Sequence, residues 1–106
     1  MAAPTMAALF YFSPGPVPDE LTELARQIAP GLAVQGLTAL PGVAAALAVR
    51  PQPAVILTPR PDSGTELALL QLGADEVLDS VGVTGAAVGA AMARASARHA
   101  RQEETA

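Results

Sequence analysis

The chain contains no cysteine and no lysine, and aromatic side chains make up only 3% of its 106 residues. Without cysteine there is no disulfide, no thiol nucleophile and no thiolate metal site. Without lysine, no glycine-rich turn can offer the ammonium of a phosphate-binding loop. "SPGP" at 13–16 shows neither that motif nor a G-x-G-x-x-G, and its two prolines remove amide donors. The single histidine, His99, lies among arginines near the C-terminus and reads as a helix-end cation that complements the dipole. No nucleophile–base constellation can be assembled from what is left, so the chain is expected not to be an enzyme and to need no cofactor or metal.

Charge is also scarce. Charged residues are 15% of the chain, with six arginines against ten acids, a net charge of −4 and a pI near 4.7. This excludes a general binder of nucleic acid or anionic membrane, since both need clustered cations. The apolar run Met6–Phe12 is too short to span a bilayer and follows no cationic leader, so a cytoplasmic protein is expected.

Hydrophobic residues, by contrast, are 51% of the sequence. That suits one domain over 1–106, with 1–5 and 102–106 expected to be flexible. A core of leucine, valine, isoleucine and many alanines buries less area per side chain, so it is expected to lean on a partner surface.

The apolar pattern alternates in kind along the chain. Met6–Phe12 is a continuous run bounded by "SPGP" and reads as a buried strand. Pro18 opens a helix with Asp19 and Glu20 in its first turn and Leu21, Leu24, Ala25 and Ile28 on one face. Leu32–Leu37 is a second strand, weakened by Gly36, and Val43–Arg50 a brief second helix. Ala54–Thr58 ("AVILT") is the clearest strand. Ser63 and Glu66 form a capping-box pattern for a third helix through Leu67 and Leu70, closed by Gly73. Glu76–Asp79 is a fourth strand, and Thr84 caps a last helix over 85–101. Strict alternation with short loops predicts an α/β parallel sheet with helices on both faces, strand order 2-1-3-4.

The string "PAVILT", then a helix, then "LGADEVLDS" resembles the fourth strand, fourth helix and fifth strand of the receiver (CheY-like) domain of response regulators. The resemblance is strong over about residues 53–80 and implies a flavodoxin-like fold shortened by one strand–helix unit. It also implies a degenerate site. Where receivers carry an acidic pair for Mg²⁺ the chain reads Phe12, Ser13 and Pro14, and the lysine position is Ser80. Thr58 alone matches the switch residues, and the strand bearing the phosphoacceptor aspartate is missing. In a rival register "RPQPAVILT" is the third strand and Thr58 replaces the acceptor. Either way a carboxylate nucleophile, a divalent metal and charge neutralisation are all absent.

The resemblance implies a pseudo-receiver that works through protein contacts, without phosphorylation, in bacterial signalling. Its partner surface would comprise 63–72, 75–79 and 84–101. Asp75, Glu76 and Asp79, read as exposed, stand beside a helix bearing Val88, Met92, Arg94 and Arg98, so acid–base pairing between two copies is expected. The other reading is a small-molecule or anion sensor on the strand-end rim of Ser13, Thr58, Asp62, Asp79 and Ser80. Asp62 and Asp79 have the chemistry to hold a hard cation, but a helix cap and a solvated strand end are the commoner uses of such residues and the preferred reading.

Overall fold

The computed structural model describes residues 7–48 and 52–105, with side chains through residue 100. Eight elements alternate: β1 (Ala8–Phe12), α1 (Asp19–Ile28), β2 (Val34–Leu37), α2 (Leu40–Ala48), β3 (Ala54–Thr58), α3 (Ser63–Gln71), β4 (Glu76–Asp79) and α4 (Gly85–Thr105). The four strands pair in parallel in the order β2-β1-β3-β4, the flavodoxin-like open sheet that the alternation predicts.

Strand alternation splits the core in two. Leu9 and Tyr11 of β1 join Val55 and Leu57 of β3 under α1 and α4, where Leu21, Ala25, Val88, Ala91, Met92 and Ala95 meet them. Phe10 and Ile56 point the other way, against Val43 of α2 and Leu69 of α3. All five residues of β3 are buried because helices cover both of its faces. The two faces are not covered equally. α4 has 21 residues, about 31 Å by helical rise, whereas α2 and α3 have nine each, about 14 Å.

Several boundaries move for local reasons. β2 begins at Val34, not Leu32, because the Leu32 N–H closes a turn onto the Ala29 carbonyl. Gly36 has a use in it: a Cβ there would stand 3.1 Å from Val17 Cγ2. α2 starts at Leu40, ahead of the expected Val43, since Pro41 sits in the first turn where a missing N–H is harmless. The cap of α3 is Asp62 and not Ser63: its Oδ1 accepts the Thr65 N–H at 2.7 Å. Gly73, at φ 116°, ends the same helix in a Schellman motif, with Gly73 N–H on the Leu70 carbonyl and Ala74 N–H on that of Leu69. The expected cap at Thr84 is present, its Oγ1 accepting from Ala87 at 3.1 Å. α4 continues past Arg101 to Thr105, taking in residues 102–105 that the sequence reading leaves outside it. Met6, Arg50 and the stretch 1–5 lie outside the described residues.

Candidate functional site

The carboxyl ends of β1, β3 and β4 bring Ser13, Thr58, Asp79 and Ser80 onto one rim. Thr58 pairs in register with Asp79, and the Ser80 N–H donates to the Thr58 carbonyl at 3.0 Å. Thr58 is 4% exposed, a buried hydroxyl-bearing side chain at the end of β3. Ser13 is half-buried, and its Oγ accepts a long 3.4 Å bond from the Gly15 N–H.

The two rim carboxylates are occupied by backbone. Asp79 Oδ1 accepts the N–H groups of Arg60 and Val81, both at 2.9 Å, so it joins the β3–α3 loop to the β4–α4 loop. The Arg60 N–H, then that of Val81, holds its carboxyl below the usual range. Arg60 adopts a left-handed φ of 45° directly before Pro61, a position that disfavours it, and the Asp79 bond is its restraint. Asp62 is lowered likewise, chiefly by the Thr65 N–H it caps. Asp62 therefore acts as a cap, and Asp79 is the exposed strand end that was expected, where it also clamps the two loops. Among the described residues no three histidines or acids converge as a metal site.

At the opposite end of β4 the expected interaction residues turn inward. Asp75 and Glu76 are partly buried, not exposed. Asp75 Oδ2 accepts the Ala54 N–H at 2.7 Å, and its own N–H donates to the Ala54 carbonyl at 2.8 Å. Glu76 lies between two arginines of its own α4. Arg94 Nη2 donates to Oε1 at 2.9 Å, and Arg98 Nη2 donates to Oε2 and to the Asp75 carbonyl. Burial pushes the Glu76 carboxyl up, but the hydrogen bonds and charges of Arg98 and Arg94 outweigh it and leave it lowered. Val88 and Met92 are 0% and 6% exposed, within the core. Of the three acids expected to pair with arginines of a second copy, Glu76 pairs with Arg94 and Arg98 of its own chain, and Asp75 and Asp79 accept backbone amides.

Sequence reasoning set 63–72 on the partner surface through the resemblance alone, and missed α2 and the exposed leucines of α3. Leu40, Leu67 and Leu70 are 42%, 56% and 41% exposed, three of the four large exposed hydrophobics among the described residues. A groove of about 300 Å³ separates the helices, lined by Leu40, Pro41, Ala44, Ala68, Gln71 and Leu72. The available signal was α2 itself, "LPGVAAALA", which has no polar side on any face and is too short to bury all of it.

The arrangement offers no activated nucleophile and no free carboxylate pair among the described residues, but it does offer a hydroxyl-bearing rim and an uncovered apolar face. No helix among them is long and apolar enough to cross a membrane. Compared with known proteins, the chain matches no protein-family model, no curated protein and no solved structure.

Proposed function

We propose that this chain is a non-enzymatic protein-interaction module, a receiver-like domain that acts without phosphorylation in bacterial cytoplasmic regulation. One contrast carries the reading. The rim carboxylates Asp62 and Asp79 are engaged by backbone amides, while Leu67 and Leu70 of α3 remain open to solvent beside an apolar groove. Large apolar side chains left exposed on one helix are candidates for a contact site in a folded domain. The helix is also the one that, by resemblance to receivers, belongs to the partner surface.

The test has two arms. Acetyl phosphate with Mg²⁺ should add no mass to the chain; a stable phospho-adduct would overturn the reading. Association of the chain, with itself or with another protein, should be lost in Leu67→Glu, and binding that survives that change would remove α3 from the surface.

A second reading has one observation behind it. Thr58 is a buried hydroxyl-bearing residue on the rim between Ser13 and Ser80, which suits recognition of a small molecule or anion. A thermal-shift screen of nucleotides and small anions separates the two, since a large shift abolished by Thr58→Val supports the sensor.

A further inference from the structure

We propose that the contact between Asp79 and Arg60 is a conformational latch that ties the rim of the sheet to the start of α3. Its use, setting how α3 is displayed, rests on the interaction-module reading. The latch itself is a property of the single chain.

Arg60 is the one non-glycine residue at positive φ among the described residues, at 45°. Two things disfavour it there: a side chain in the left-handed region, and Pro61 directly after it. What holds it lies on another loop. Asp79 Oδ1 accepts the Arg60 N–H and the Val81 N–H, both at 2.9 Å. The cost of one strained residue and the worth of one bond to a charged acceptor are of similar size. The loop therefore has a second state close by. In it the bond is broken and Arg60 is extended, the conformation that a residue before proline prefers.

The place of the strain gives it reach. Arg60 lies between Thr58, which ends β3, and Asp62, which caps α3, with a proline on either side of it. Proline φ is fixed, so few torsions remain to absorb a turn of the backbone at Arg60 before it reaches Asp62. Asp62 holds the first turn of α3. Its side chain accepts the Thr65 N–H at 2.7 Å, and its carbonyl accepts the Glu66 N–H at 3.0 Å. Leu69 is the one buried side chain of α3, so the helix is anchored near its far end and not at its start.

The other end of the latch belongs to the rim. Asp79 pairs in register with Thr58, whose carbonyl accepts the Ser80 N–H. A rim ligand that takes the Asp79 carboxylate, or either amide, binds one state better than the other and shifts the balance. Occupancy of the rim would in this way reach Leu67 and Leu70.

Amide hydrogen exchange, followed residue by residue by NMR on the whole chain, tests the latch without a partner. Asp79→Ala should speed exchange about tenfold or more at Arg60 and Val81, the scale of a lost bond to a charged acceptor. It should also speed Thr65 and Glu66, whose own acceptors it leaves in place. Phe10 and Ile56 of the buried strands should keep their rates. Arg60→Gly keeps the N–H and removes the strain, so it should slow Thr65 and Glu66 by about twofold or more.

Faster exchange at Arg60 and Val81 alone would make the bond a local one and overturn the proposal. Arg60→Gly that speeds exchange in α3, or leaves it unchanged, would show that no strain is held and would equally overturn it. Should Asp79→Ala also release Phe10 and Ile56, the variant has unfolded and Arg60→Gly alone decides. Either failure leaves α3 standing as a contact surface. Association that survives Leu67→Glu, with the exchange pattern as expected, would remove the contact surface and keep the latch.

Discussion

Arg94 and Glu76 stand eighteen residues apart in the chain, and the guanidinium Nη2 lies 2.9 Å from the carboxylate Oε1. Arg98 holds the other oxygen, so one carboxylate fixes two turns of α4 to the edge strand β4. The Glu76 carboxylate is thereby engaged within one chain, while both guanidinium groups stay partly exposed.

Glu76→Gln should therefore lower stability in urea unfolding by about 1 kcal/mol, modest because both arginines remain partly in water. A double-mutant cycle with Arg98→Gln should show coupling between the two. Strict additivity would mean the contact contributes nothing.

Asp79 predicts a pH dependence. Its carboxyl is lowered in the folded chain by the Arg60 and Val81 amides, whereas unfolded aspartate titrates near about 3.9. The unfolded state then binds the proton more tightly, so the contribution to stability is complete above that value and is lost as pH falls through the folded one. Asp62 and Glu76 act in the same direction. Melting temperature should fall below about pH 4, and Asp79→Asn should flatten that limb. An unchanged acid limb in the variant would show that the loop clamp does not contribute.

The capping assignment separates two adjacent residues. Asp62→Ala should lower the melting temperature, because the Thr65 amide loses its acceptor, while Ser63→Ala should leave it nearly unchanged. Equal effects would restore the capping box on Ser63.

Gly73→Ala should cost about 1 kcal/mol in the same assay. The nearest side-chain atom to a new Cβ is Leu47 Cδ1 at 3.8 Å, so the cost comes from the positive φ and not from crowding. A stable alanine variant would show that the helix ends differently.

Met92→Glu should unfold the single chain and not merely dissociate a complex. The side chain is 6% exposed among Leu9, Val55 and Ala95, and a carboxylate there has no partner. A folded, monomeric variant with native thermal stability would contradict the burial.

Much of the fold follows from local pattern. The apolar runs at β1 and β3, the helical spacing of Leu21, Leu24, Ala25 and Ile28, and the glycine stop at Gly73 are readable because period and turn chemistry act within a few residues. Strict alternation then leaves few topologies, since parallel crossovers share one handedness. The rim residues Ser13, Thr58 and Ser80 were legible for the same reason, as positions at strand ends.

What each polar side chain does was decided only in three dimensions. Asp79 looks free until the β3–α3 loop brings the Arg60 amide to it, and Glu76 looks exposed until α4 folds back across β4. Met92, expected at an interface, is buried and Leu67 is exposed, because burial depends on which helix has enough length and sheet beneath it. α4 covers its face, while α2 and α3, nine residues each, do not. Periodicity assigns a residue to a side of its own helix; the packing of that helix against the rest of the chain determines whether the side is closed.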